Sequence, residues 1–326
     1  VGPVRSGKSS FIKRFMEMAV IPYIEDKDAK LRAIDELPQS GKGKMIMTVE
    51  PKFIPNQAVE MLMDENFKVN VRLVDCVGYV IEGAKGYQDD QGIRYVKTPW
   101  YLESIPFDQA AKVGTKKVIQ DHSTIGIVIT SDGSICDIPG ANYNEATDSI
   151  VEELLDIDKP FIIIINTKDV NSSACKKEYE RLTAKYDVPV LSMDVTNMEE
   201  PQIVSLLKDA LYEFKISEVR IEVPKWLAMM SNSHWLKQTL DTSLKESLQS
   251  IKKFKDVERI GDTISEYDFV DKAYLTGIDT TTSSATLKIE EREGLYNEIL
   301  EEIIGDKGFA QETLLTFIQE IVDIKK

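Results

Sequence analysis

Residues 161–165 form an unbroken apolar run, Phe-Ile-Ile-Ile-Ile, led in by Pro160. A strand with no polar face must be covered on both sides, as in a parallel sheet enclosed by helices. Weaker versions of the signal recur at 124–130 and 188–193, and 69–74 alternates before ending in Asp75-Cys76-Val77-Gly78. Between these stretches the apolar spacing lengthens to three and four, predicting helices over 11–18, 144–156, 175–186 and 201–214. Strands and helices alternating over the first two-thirds of the chain predict an α/β domain, a mostly parallel sheet flanked by helices.

The pattern changes near 219–224, which divides the chain into an expected first domain, 1–218, and a second, 219–326. Beyond the change, Leu236, Leu240, Leu244, Leu248 and Ile251 mark one helix face, capped near Asn232 or Ser233. A Thr/Ser turn at 280–284 precedes an alternating strand with Ala285, Leu287 and Ile289 inward. Two more amphipathic helices follow, one through Leu295, Ile299 and Ile303, the other through Leu314, Phe317, Ile318, Ile321 and Val322. This reads as a smaller α+β domain whose stripes are core faces rather than a partner groove.

Charge and composition narrow the function classes. With 55 acidic against 40 basic side chains the net charge is −15, which repels nucleic acid and is a solubilising surface rather than the mark of a basic partner. The three cysteines, Cys76, Cys136 and Cys175, lack metal spacing and read as reduced residues of a cytosolic protein. Only His122 and His234 offer imidazole, so neither a zinc site nor a histidine triad is expected. No apolar run approaches the ~20 residues of a transmembrane helix.

The chemistry sits at the start of the chain. Gly2-Pro3-Val4-Arg5-Ser6-Gly7-Lys8-Ser9 fits G-x-x-x-x-G-K-S, the sequence of a phosphate loop. Its glycines let the backbone turn so that successive N–H groups converge on an anion, and the helix opening at Ser9-Ser10 adds its dipole. Lys8 would reach the outer phosphates and Ser9 would ligate Mg²⁺. The candidate phosphate-binding residues are Gly2, Arg5, Ser6, Gly7, Lys8, Ser9 and Ser10. Only Val1 precedes Gly2, where a strand ordinarily leads into such a loop, so the expectation is a fragment whose first strand has been cut away.

Asp75-x-x-Gly78 closes a strand, the position of a second metal contact, with Asp75 on Mg²⁺ and the Gly78 N–H toward the γ-phosphate. Thr48, before Pro51, fits a switch threonine that senses metal and γ-phosphate. Asn166-Thr167-Lys168-Asp169 keeps the Asn and Asp of the guanine-reading N-K-x-D but replaces its lysine, and Ser192-Met193-Asp194 departs from the later S-A-K. The residues therefore leave ATP and GTP open. Tyr79 stands where a GTPase such as Ras orients water with glutamine, so Arg5 is a candidate for transition-state charge; the other reading is a structural arginine.

Taken together, 2–15, Thr-Val-Glu-Pro-Lys-Phe-Ile-Pro at 48–55, Val-Arg-Leu-Val-Asp-Cys-Val-Gly-Tyr at 71–79, 159–167 and His-Trp-Leu-Lys at 234–237 make the chain resemble the stage IV sporulation protein A family of endospore-forming bacteria. The resemblance implies a P-loop NTPase derived from translation-factor-related GTPases that binds and hydrolyses ATP with Mg²⁺. It implies that hydrolysis drives self-assembly into a basal spore-coat layer, in the mother-cell cytoplasm and peripheral to the outer forespore membrane. On that likeness Lys8 is the phosphate-loop lysine, Asp75 the Mg²⁺ aspartate and Thr48 a sensor threonine; with the loop readings above, the catalytic candidates are Lys8, Thr48, Asp75 and Arg5, and the metal contacts Ser9, Thr48 and Asp75. Family members often pair two threonines at the sensor position; Met47 occupies the first here. The implied partners are further copies, other coat proteins and a small amphipathic membrane peptide, the last docking through a C-terminal targeting domain expected to be absent. The alternative function is a GTP-dependent switch, and a third is a nucleotide-binding scaffold with little turnover.

Overall fold

The computed structural model describes residues 1–38, 51–64, 67–89, 92–249, 251–279 and 282–305. The chain divides into two compact units, Val1–Lys215 and Ile216–Lys326. The first opens on helices α1 (Lys8–Phe15) and α2 (Lys27–Asp35). Two long strands follow, β1 (Lys52–Asp64) and β2 (Phe67–Asp75), paired antiparallel with a register break between Ile54 and Val59. Two small antiparallel pairs come next, β3 (Gln88–Asp89) with β4 (Gly92–Ile93), and β5 (Tyr95–Thr98) with β6 (Tyr101–Pro106). The remainder alternates: α3 (Phe107–Lys117), β7 (Gly126–Ser131), α4 (Ala141–Asp156), β8 (Phe161–Asn166), α5 (Ser173–Lys185), β9 (Val190–Met193) and α6 (Glu200–Tyr212).

Strands β7, β8 and β9 form a parallel sheet with β8 in the middle, so Ile129 lies opposite Ile164 and Ile164 opposite Leu191. All six residues of β8 are buried. Successive side chains go to opposite faces: Phe161, Ile163 and Ile165 meet Tyr143, Ile150 and Leu154, while Ile162 and Ile164 meet Phe11, Phe15, Ile203 and Leu206. That two-sided cover is the reason the run carries no polar position. Each buried isoleucine contributes about 1.5–3 kcal/mol.

The first residues of the chain extend this sheet. The Val1 amine donates to Ile127 O at 2.8 Å, and Ile129 N–H donates to Val1 O at 2.9 Å. On the other side Pro3 bridges Tyr79 in parallel, and Val4 N–H donates to Tyr79 O at 2.8 Å. The backbone entering α1 is therefore suspended between β7 and the stretch that follows β2.

The second unit contains β10 (Glu218–Glu222), α7 (Lys225–Ala228), α8 (Trp235–Leu248), α9 (Phe254–Ser265), β11 (Val270–Asp279), β12 (Ser284–Glu291) and α10 (Leu295–Ile304). Its sheet has the order β10-β12-β11, β12 running parallel to β10 and antiparallel to β11. As the alternation predicts, Ala285, Leu287 and Ile289 are buried. Helix α9 packs on β11 and β12 through Phe254, Val257, Ile260 and Ile264.

Some expectations need amending. The cap of α8 is His234, whose Nδ1 accepts from Leu236 N–H at 3.3 Å, rather than Asn232 or Ser233. Leu236, Leu240 and Leu244 are buried, but Leu248 is 36% exposed, and on α10 Ile303 is 61% exposed beside buried Leu295 and Ile299. Both stripes outrun the surface that covers them. The expected helix through Leu314 and Ile321 lies outside the described residues.

Candidate nucleotide site

The loop 2–7 makes its chain reversal with two left-handed residues, Arg5 at φ 65° and Gly7 at φ 97°. Gly7 is also sterically required, because a β-carbon there would fall 2.1 Å from Asn166 Nδ2. Arg5 has no such freedom; a left-handed non-glycine residue costs about 1 kcal/mol. Its carbonyl accepts the Tyr143 hydroxyl at 3.3 Å, a contact from α4 that sequence reasoning does not supply.

Lys8, the first residue of α1, is buried, and its Nζ donates to Pro3 O at 2.6 Å. Burial pushes its pKa down, opposed by the neighbouring Cys76 and Asp75. Ser9 follows and donates from Oγ to Asp75 Oδ2 at 2.7 Å, which places the last residue of β2 against the helix start. Asp75 Oδ1 and Ser6 Oγ are buried without a hydrogen-bond partner. Buried polar atoms are mostly satisfied, and these two, one on the loop and one at the end of β2, are free to take further polar partners. Ser10 sits one residue further along α1.

Gly78 closes over the same spot at φ 85°; a β-carbon on it would lie 2.0 Å from Gly2 O and 2.6 Å from Lys8 Nζ. Tyr79 turns away from the loop and donates from its hydroxyl to Glu153 Oε2 at 2.7 Å on α4. Burial and the Glu153 carboxylate raise its pKa and keep the phenol protonated.

At the far end of β8, Asn166 is buried and both ends of its amide are used. Nδ2 donates to Ser6 O at 3.0 Å and Oδ1 accepts from Val195 N–H at 3.3 Å. Asn166 thereby joins the loop 2–7 to the chain after β9. Asp169 is exposed, with Oδ1 accepting from Asn171 N–H at 2.9 Å. Thr167 is fully buried and donates to Asp132 Oδ2 at 2.6 Å. Asp132 was not singled out from sequence, although Ser131-Asp132-Gly133-Ser134 directly after a strand carries the pattern of an Asx turn. The structure thus gathers Gly2, Arg5, Ser6, Gly7, Lys8, Ser9, Asp75, Gly78 and Asn166 at one end of the sheet. Thr48 lies outside the described residues.

Ligands of open α/β sheets bind at the carboxyl ends of parallel strands, and a three-stranded parallel sheet flanked by helices, with a G-x-x-x-x-G-K-S loop at that end, is the architecture of an NTPase domain. The sequence comparisons narrow this further. The chain belongs to the stage IV sporulation protein A family: residues 1–215 match its ATPase domain and residues 216–326 its middle domain. Stage IV sporulation protein A of Bacillus anthracis is 46% identical over 325 residues, covering 100% of this chain and 66% of the relative. The proteins of that name from Bacillus subtilis (strain 168) and Clostridioides difficile (strain 630) are 45% and 41% identical over the same span and with the same coverage. The chain therefore spans 66% of the length of these curated relatives. No solved structure matches. Among the described residues no helix is long and apolar enough to cross a membrane.

Proposed function

We propose that the chain is the ATP-binding and ATP-hydrolysing part of a morphogenetic scaffold that assembles with its own copies into the basal layer of the spore coat. The observation that carries the nucleotide reading is the Ser9–Asp75 pair at 2.7 Å with Asp75 Oδ1 orphaned beside buried Lys8. One carboxylate and one hydroxyl next to an anion-binding loop suit Mg²⁺, which keeps several waters and takes its remaining ligands from substrate phosphates. These residues fit the ion, and when bound it would neutralise charge on the phosphates. Loop N–H groups bind the phosphates, Lys8 neutralises them, and Gly78 N–H contacts the outermost. Arg5 supplies charge in the transition state and Thr48 senses the γ-phosphate. Asn166 holds the loop through Ser6, and Asp169 borders the base.

The fold proposed is that of a translation-factor-related GTPase. In its support, the stretch that follows β2, the opening residues, β7, β8 and β9 lie side by side across the first unit. The proposed location is the mother-cell cytoplasm at the outer forespore membrane. The proposed partners are other coat proteins and a small amphipathic membrane peptide, the latter bound through sequence that the relatives carry beyond this span.

Sedimentation tests the reading. Mg-ATP is expected to be hydrolysed and to bring the protein into the pellet, a non-hydrolysable analogue is expected to bind without full assembly, and excess GTP is expected to leave labelled ATP bound. Full assembly on the analogue would make turnover unnecessary, and displacement by GTP would favour a switch GTPase. In the same assay Thr48→Ala is expected to keep ATP binding while slowing hydrolysis by roughly 10²-fold, the usual cost of losing one transition-state contact.

A further inference from the structure

We propose that Asp132 is a positioning residue for the nucleobase, and that its hold on Thr167 makes the site select ATP over GTP. The proposal deepens the ATP reading above and rests on it.

The residues in question lie at the carboxyl ends of β7 and β8, next to the loop 2–7 through the Asn166–Ser6 bond. With the phosphates at that loop, the base end of the ligand falls among the chain segments that follow these strands. Asp132 binds those segments together. Its Oδ1 accepts from Ser134 N–H at 2.9 Å and from Ser134 Oγ at 2.6 Å. Its Oδ2 accepts from Thr167 Oγ1 at 2.6 Å and from Ser172 Oγ at 3.5 Å. Ser134 Oγ in turn accepts from Lys168 N–H at 3.0 Å, and Thr167 Oγ1 accepts from Asp169 N–H at 3.2 Å. One carboxylate therefore fixes the backbone of 167–169 from beneath.

Position 167 is where a guanine-reading loop places a lysine whose stem covers the base. Here the side chain is short, wholly buried and drawn inward by a charge-assisted bond. No stem is left to lie over a guanine. One oxygen of the Asp169 carboxylate, the group that would accept from the guanine N1 and N2 groups, is already taken by Asn171 N–H of its own loop. Asp132 is thus the group that keeps 167–169 out of the guanine-binding form.

The test is the ratio of ATP to GTP affinity in the full chain, measured with labelled nucleotide and with inorganic tripolyphosphate as a competitor that has no base. Asp132→Asn puts a donor where two acceptors are needed, and Thr167→Val removes the hydroxyl at nearly constant shape. Each is expected to lower the ATP:GTP ratio roughly tenfold with tripolyphosphate competition unchanged, while Thr167→Ser keeps the wild-type ratio. Thr167→Lys alone is expected to stay ATP-selective, because Asp132 captures the ammonium; combined with Asp132→Ala, the freed stem shifts the ratio toward GTP. A wild-type ratio in both Asp132→Asn and Thr167→Val overturns the proposal, as does an equal loss of nucleotide and tripolyphosphate. A wild-type protein that prefers GTP would instead overturn the ATP reading.

Discussion

Gly78→Ala is expected to reduce ATP turnover by 10²-fold or more and to lower stability by about 2–5 kcal/mol. Two costs combine at this residue. The backbone is left-handed at φ 85°, and the added methyl would fall 2.0 Å from Gly2 O, which no side-chain rotation can relieve. Gly2 is held on either side, by the bond from Ile129 N–H to Val1 O at 2.9 Å and that from Val4 N–H to Tyr79 O at 2.8 Å. Relief must therefore displace Lys8 Nζ, 2.6 Å from the same point, or the turn after β2. Gly83→Ala is the control: its φ is 86°, but nothing lies nearer than 3.8 Å to the added atom. It carries the conformational cost without the collision. Turnover and thermal denaturation of the two variants compare directly, and equal turnover would remove Gly78 from the site.

Lys8→Ala is expected to abolish measurable ATP binding and to cut turnover by roughly 10²–10³-fold, the scale seen when one charge-stabilising donor is lost. The same change is expected to leave the thermal stability of the nucleotide-free protein at or above the wild-type value. Lys8 is an ammonium in a buried position, held below the usual lysine range by that burial. Removing it removes a desolvation cost that outweighs what it gives up, the bond to Pro3 O and the attraction of the nearby Asp75 carboxylate. Function and stability should therefore move apart, which an unfolded variant cannot imitate. Wild-type hydrolysis by Lys8→Ala would show that the site has been misplaced.

Much of the site was legible because it is local. The loop 2–9 is contiguous, and Asp75 ends a strand that alternates, so two short patterns single out both residues that the structure joins at 2.7 Å, Ser9 and Asp75. Strand β8 was legible because a strand buried on both faces carries no polar residue. Strand β1 was not: Pro55 and Asn56 interrupt it, and the register break between Ile54 and Val59 destroys the alternation. Helix α9 does carry a readable stripe, Phe254, Val257, Ile260 and Ile264, but it went unread beside the stronger leucine stripe of α8. The parts that sequence could not supply are long-range. Asn166 reaches a carbonyl 160 residues away, Tyr143 one 138 away, and Asp132 meets Thr167 across 35 residues. Such contacts depend on how strands are stacked, which a residue pattern does not encode.

The bond from Val4 N–H to Tyr79 O has a thermodynamic corollary. The backbone of the loop 2–7 and the backbone beside Gly78 share one hydrogen-bonded strip, and the Tyr79 side chain continues it to Glu153, which Lys116 of α3 also holds at 3.2 Å. If nucleotide binding tilts the peptide at 78–79, that work is also work done on the α3–α4 surface. Linkage makes the exchange symmetric. Any molecule that grips that surface and shifts Tyr79 must alter nucleotide affinity by the same factor by which nucleotide alters its own.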